Sequence, residues 1–268
     1  MKLILVTGAA GGVVRMLRSL MRADYRLRLS DRTPVSDRAP GEEWAAADLT
    51  DFDSVLRAVR GVDGILHLGG FSVEGSWPQI HDANIVGAYN VFEAARQAGV
   101  RRLIFASSNH AVGFYRRGEI IGDDVTPRPD TRYGVSKVFG EALASLYAHK
   151  YGAEVVSIRI GNVETKPLDV RRLAIWISPR DLYQLIRIGL ERPGIVHEIV
   201  YGVSQSSRSW WDNSNAKRLG YRPHDSADDY AAEVLAKHSA ISGDARADTY
   251  QGGQFCSIES GGDPVKTD

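Results

Sequence analysis

Three observations predict an α/β fold built on a doubly wound parallel sheet. Over roughly the first 160 residues, short apolar runs alternate with longer amphipathic stretches, the rhythm of parallel strands joined by covering helices. The first apolar run leads straight into a glycine-rich loop that opens a helix. Beyond Ile160 the rhythm weakens, so the C-terminal part reads as a small elaboration on one domain spanning 1–268. Right-handed crossovers place helices on both faces of such a sheet.

The elements follow in order. Residues 3–7 read as a buried strand and 13–21 as a helix. Residues 26–30 and 44–47 give two more strands, with a helix at 54–59 after them. The strand at 64–68 runs into Gly69–Gly70. One long helix is expected over 80–98, its apolar positions on one face and Gly99 at its end. A strand at 102–106 precedes a second long helix, 133–151, again followed by a glycine, and 154–160 is a strand. Later, 171–177, 181–189 and 230–238 look helical and 196–201 looks like a strand. The last 30 residues, rich in Gly, Ser and Asp, read as a tail.

Composition narrows the classes of function. Lys+Arg and Asp+Glu both total 33, so the formal net charge is zero and the basic footprint of a nucleic-acid binder is missing. The one cysteine, Cys256, leaves neither an intramolecular disulfide nor a cysteine-rich zinc site, and no metal site is expected. The N-terminal residues lack the charged, apolar and cleavage regions of a signal peptide. No apolar run approaches the ~20 residues needed to span a bilayer. These features predict a cytoplasmic protein without a membrane partner.

The first strand ends in T-G-A-A-G-G-V-V, with Gly8, Gly11 and Gly12. Glycine suits this loop because the backbone must turn tightly and approach a pyrophosphate closely. The following helix directs its free N–H groups at the phosphates. Alone, such a loop is also an ordinary tight turn; its place between an N-terminal strand and a helix points to a dinucleotide, as in a Rossmann fold. The second strand ends at Asp31, where a carboxylate can accept both adenosine ribose hydroxyls and repel a 2′-phosphate. That favours NAD over NADP, although Arg32 can soften the preference. Asp48 and Leu49 are expected near the adenine, and Leu68, Gly69 and Gly70 allow close backbone approach, with Ile160 completing the cofactor contacts.

Tyr133 and Lys137 stand four residues apart and share one helix face. Ser107–Ser108 closes the preceding strand, and strand ends meet the next helix at the ligand crevice. A tyrosine with its usual pKa of about 10 is a poor base at neutral pH, and an adjacent ammonium lowers that value. A serine hydroxyl can orient a substrate hydroxyl while the phenolate removes its proton and a hydride passes to nicotinamide. Y-x-x-x-K alone is common; beside the serine strand and glycine loop it reads as a catalytic site.

With these residues in place, the chain resembles an extended short-chain dehydrogenase/reductase, the superfamily of sugar-nucleotide epimerases and dehydratases. The resemblance covers nearly the whole chain. It implies that Ser108, rather than Ser107, is the catalytic serine and that Asn84 is a cofactor-side asparagine. Five segments occur together: H-L-G-G-F-S-V-E (from His67), F-A-S-S-N-H (from Phe105), R-P-D-x-x-Y-G-V-S-K (from Arg128), W-W-D-N (from Trp210) and Q-G-G-x-F (from Gln251). This set is similar to that of bacterial uronate dehydrogenases, which oxidise C1 of a hexuronic acid to the lactone with NAD. The resemblance implies a sugar pocket lined by Ser72, Ser108, Asn109, His110 and Arg171, with Phe255 close by. Arg171 would grip the substrate carboxylate, a task suited to a planar, permanently charged fork. His110 reads as a hydrogen-bonded loop residue and not a base, and Trp210–Trp211 as packing. A homo-oligomer built on the two long helices would be the family's usual assembly.

Two positions depart from the pattern. Val14 stands where the loop's third glycine is usual, and a valine there is expected to push the helix outward and weaken cofactor binding. Asn162 stands where uronate dehydrogenases carry serine, within the implied sugar pocket. A longer amide changes the pocket, so the substrate is open between another uronate, a neutral aldose and a 6-anionic sugar such as a sulfonated one. The short C-terminal part argues against a sugar-nucleotide epimerase or dehydratase, which would retain NAD through its cycle. A non-catalytic NAD-sensing regulator is disfavoured because Tyr133 and Lys137 are both present.

Overall fold

The computed structural model describes residues 1–238 and 241–259. In chain order the first half contains β1 (Leu3–Thr7), α1 (Gly12–Met21), β2 (Arg26–Asp31), β3 (Glu43–Ala46), α2 (Phe52–Val59), β4 (Gly64–His67), α3 (Trp77–Ile80), α4 (Gly87–Gln97), β5 (Arg102–Ser108), α5 (Arg132–Tyr151) and β6 (Glu154–Ile160). The second half adds β7 (Asn162–Val163), α6 (Arg172–Ile175), β8 (Trp176–Ile177), α7 (Pro179–Glu191), β9 (His197–Gly202), α8 (Ser214–Arg218), α9 (Ala231–Lys237) and α10 (Ala245–Thr249).

Seven strands form one parallel sheet in the order β3-β2-β1-β4-β5-β6-β9. The order reverses between β1 and β4, and such a reversal opens a ligand crevice at the strands' carboxyl ends. Register aligns those ends: Thr7 pairs with Ser30 and His67, and Ile160 pairs with Ser108 and Gly202.

Side chains alternate across a strand, so each strand feeds two cores. Leu3, Leu5, Ile65, Leu103, Phe105 and Val155 join the core that includes Val55 of α2, Phe92 of α4 and Tyr147 of α5. Ile4, Val6, Leu66, Ile104, Val156 and Ile158 join the opposite one, with Leu17 of α1 and Leu185 of α7. Val14 is buried in the second core, so its isopropyl group packs into the helix–sheet seam.

Three expectations are corrected. The helix expected over 80–98 begins at Trp77, where Ser76 and Gln79 form a capping box, and passes through a π-helical stretch, His81–Val86, before α4. The helix expected over 171–177 is only α6; Trp176 and Ile177 turn extended and pair with Asn162 and Val163 of β7. Up to Glu259, the segment read as a tail folds: Asp244 caps α10, and Gln251 is buried, its amide donating to the carbonyls of Arg116 and Glu119. A short helix and two backbone contacts leave no periodic mark on a Gly- and Ser-rich sequence. Residues 239–240 and 260–268 of that expectation lie outside the described residues. No described helix is long and apolar enough to cross a membrane.

Candidate active site

The crevice at the β1–β4 reversal fits a dinucleotide. Gly8 takes φ +71°, and a Cβ there would lie 2.8 Å from Gly69, so only glycine lets the two loops close. A Cβ at Gly12, by contrast, would meet nothing within 4 Å, which leaves open space above the loop. Gly11 caps α1 without a side-chain bond, and no acidic residue occupies the first turn, so the N–H groups there remain available to an anion. Asp31 ends β2 and is fixed by the N–H groups of Ala10 at 3.1 Å and Thr33 at 3.0 Å, which ties it to the glycine loop. Thr7 Oγ1 accepts from Gly69 N at 3.0 Å and lies 2.8 Å from His67 Nδ1. Burial and the nearby Lys137 push His67 down to about 3, so this ring stays neutral.

Asp48, Leu49 and Asn84 have structural work of their own. Asp48 accepts from the N–H and hydroxyl of Thr50, which holds its carboxyl below the usual range. The Leu49 carbonyl accepts from Asn90, and its side chain lies against Gly69. Asn84, in the π-helical stretch, donates to the Phe71 carbonyl and the Ser136 hydroxyl and accepts from Phe71 N. Its amide therefore braces the loop after Leu68–Gly69–Gly70 against α5. Ser72, in that loop, is exposed.

The two serines ending β5 separate by strand alternation. Ser107 donates to Glu141 at 2.6 Å, and Glu141 also pairs with the buried Arg159. Ser108 takes the other face, accepting from His110 N at 3.2 Å and interacting with the Tyr133 phenol. α5 delivers Tyr133 and Lys137 to the same place. Its N-terminus is held by Thr131, which accepts from Gly134 N, and by Glu74, which accepts from Tyr133 N. Lys137 donates to the Ala106 carbonyl at 2.8 Å and rides 5.3 Å above the Tyr133 ring. Burial pushes the Tyr133 phenol up to about 12, opposed by Ser108, while burial pushes Lys137 down to about 8. Desolvation of the phenol thus outweighs the effect expected from the neighbouring ammonium.

The residues expected on the sugar side, Asn109, His110, Arg171 and Phe255, lie against the same end of the sheet. With its amide oriented so that both ends find partners, Asn109 donates to the Ile160 carbonyl at 3.2 Å and accepts from Arg171 at 3.1 Å. Arg171 also donates through Nε and Nη2 to the Gln251 carbonyl at 3.0 and 2.7 Å. The Nε side of the fork expected to grip a carboxylate is therefore committed to the C-terminal segment. Burial, with Arg117 and Arg172 nearby, pushes Arg171 down to about 10. Asn162 Oδ1 is buried and finds no hydrogen-bond partner among the described residues. Phe255 stacks on His110, ring centroids 3.9 Å apart, and stands edge-on to Tyr133. Trp211 packs on Tyr201 and donates to Gln251.

Sequence reasoning missed Asp130, Glu74 and Gln251. Asp130 accepts from His110 Nδ1 at 2.7 Å, and Glu74 ties Arg132 to the N-terminus of α5. All three lie inside quoted motifs, but their partners are distant in sequence. Among the described residues, no group of three or more His, Cys, Asp or Glu could hold a metal.

The chain matches the NAD dependent epimerase/dehydratase family over residues 4–178. It is 47% identical over 254 residues to a uronate dehydrogenase of Pseudomonas putida, covering 94% of each chain. It resembles the solved glucuronic acid dehydrogenase of Chromohalobacter salexigens with a TM-score of 0.93 and 44% identity, covering 96% of this chain and 97% of that one. A mutant uronate dehydrogenase of Agrobacterium tumefaciens, solved in complex with NAD, gives a TM-score of 0.92 at 41% identity, with coverages of 96% and 97%.

Proposed function

The chain belongs to the NAD dependent epimerase/dehydratase family, and we propose that it is an NAD-dependent sugar 1-dehydrogenase that oxidises the anomeric hydroxyl of a hexuronate or related 6-anionic aldose to the lactone. The observation that carries this reading is the buried Arg171 guanidinium bonded to Asn109, next in chain to Ser108. A cation on the wall of a hydroxyl-handling site suits a sugar with one anionic end.

Gly8, Gly11 and Gly12 would hold the NAD pyrophosphate, Asp31 the ribose, Asp48 and Leu49 the adenine side, and Leu68 to Gly70, Asn84, Tyr133, Lys137 and Ile160 the nicotinamide half. NAD, when bound, supplies the hydride acceptor. Ser108 orients the C1 hydroxyl, and Tyr133 takes its proton as the C1–H bond breaks and the C1=O bond forms. Lys137, over the phenol ring, favours the phenolate electrostatically. Ser72, Asn109, His110, Asn162 and Phe255 would frame the ring, and Arg171, through Nη1, the anionic end.

We place the protein in the cytoplasm, acting on a free small sugar without nucleic acid or membrane. Tyr89 of α4 and Val135, Leu146 and Tyr151 of α5 are exposed, which supports a homo-oligomer through these helices. NADH formation with glucuronate, galacturonate, neutral aldoses and 6-sulfo sugars tests the reading. Reduction with an anionic sugar is expected. A flat trace with demonstrated NAD binding would overturn it in favour of a regulator, and sugar conversion without net NADH release in favour of an epimerase.

A further inference from the structure

Asp130 lies just before α5, and its carboxylate is fully buried. Oδ2 accepts from His110 Nδ1 at 2.7 Å, and Oδ1 accepts from the Thr131 hydroxyl at 2.9 Å. Thr131 in turn accepts from Gly134 N, so the chain of donors has one direction, from α5 into Asp130. Gly113 and Gly252 close the slot: a Cβ at either would sit 1.9 or 2.0 Å from Oδ2. The carboxylate cannot swing away, and neither can the ring it holds. Phe255 covers one face of that ring, Tyr133 stands at an edge, and His110 N is bonded to Ser108.

A carboxylate has no proton to give, so the shared proton of this bond belongs to Nδ1. In the neutral ring Nε2 is then left as an acceptor, and among the described residues it has no protein partner. We infer that Asp130 is a positioning residue that sets the tautomer of His110, so that the pocket demands a sugar hydroxyl able to donate to Nε2. This rests on the sugar 1-dehydrogenase reading. It assigns His110 no proton transfer: the ring discriminates a free hydroxyl from a carbonyl, an ether or a missing group at one ring position. A buried acceptor left unpaired penalises the analogue that cannot donate.

The test uses the full chain with Asp130→Ala, Asp130→Asn, His110→Ala and the Asp130→Ala/His110→Ala double variant. The ¹⁵N shifts of the His110 ring report the tautomer without turnover, while kcat and KM are measured for the uronate oxidised and for its deoxy analogues. Nδ1–H is expected in the parent chain. Asp130→Ala should lose that signature and raise KM by about tenfold, with a smaller change in kcat. Asp130→Asn keeps an oxygen for the Thr131 hydroxyl and turns its NH2 to Nδ1, so it should switch the ring to the Nε2–H tautomer and raise KM at least as much as Asp130→Ala. In the His110→Ala background Asp130→Ala should be nearly silent, and one deoxy analogue should lose a similar factor with the parent chain but little more with Asp130→Ala. An Nε2–H tautomer in the parent chain overturns the inference. So does an Asp130→Ala loss that persists in full without His110. Should Asp130→Ala fail to fold, the parent tautomer and the Asp130→Asn kinetics decide. If no sugar is oxidised, the dehydrogenase reading fails by itself, and the tautomer still decides what Asp130 does.

Discussion

Phe255, 145 positions beyond His110 in the chain, lies flat against its imidazole at a centroid separation of 3.9 Å. The contact brings the C-terminal segment onto the candidate site. Phe255→Ala should raise KM for the sugar about fivefold, as expected for an aromatic contact worth about 1 kcal/mol. NAD affinity should be unchanged. Steady-state kinetics with both substrates varied would detect a wrong assignment, since an effect on NAD instead of sugar would place Phe255 elsewhere.

Tyr133→Phe removes the proposed base while keeping the ring under Lys137. A positioned base contributes roughly 10²- to 10⁴-fold, so kcat should fall by that order with NAD binding retained. The phenol lies at about 12 through burial, so the phenolate fraction, and with it kcat/KM, should climb as pH rises from neutral. Retention of most of the activity in the variant would remove Tyr133 from the mechanism.

Lys137 carries a stability cost with a defined pH window. Burial lowers it from 10.5 to about 8, so between those values the folded chain binds fewer protons than the unfolded one. Stability then rises with pH through that window, and the cost is full below pH 8. Lys137→Met should therefore stabilise the NAD-free protein at neutral pH by about 1–2 kcal/mol, after allowance for the lost bond to Ala106. The gain should fade towards pH 10.5. Denaturant melts across this range check the sign, and the same variant should have little dehydrogenase activity.

Asn162 keeps a buried oxygen that has no partner among the described residues. Asn162→Ser should relieve it, adding about 1 kcal/mol of stability, and should change the kcat/KM ratio between glucuronate and galacturonate by more than about threefold. An unchanged ratio would show that this amide does not face the sugar.

Asp31 is held by two backbone N–H groups at the end of β2. Asp31→Ala should raise KM for NAD about tenfold and narrow the preference over NADP, because an acceptor of ribose hydroxyls and a repellent of phosphate are lost together. Equal loss with both cofactors would contradict the ribose role.

The sequence by itself determined the layered α/β sheet, the glycine loop and the Tyr133–Lys137 spacing, because each is local. Strand and helix periodicities show which residues are buried, and four residues along a helix fix a shared face. It also carried the resemblance that drew Ser108, Asn109, His110 and Arg171 into one pocket. Only the tertiary structure decided what those groups contact. Burial, which depends on everything packed around α5, moved Tyr133 up rather than down. Chain closure brought the Gln251 carbonyl onto Arg171, and the fold placed Asp130 behind His110. Such contacts join segments far apart in sequence or pass through loops, where no periodicity marks them.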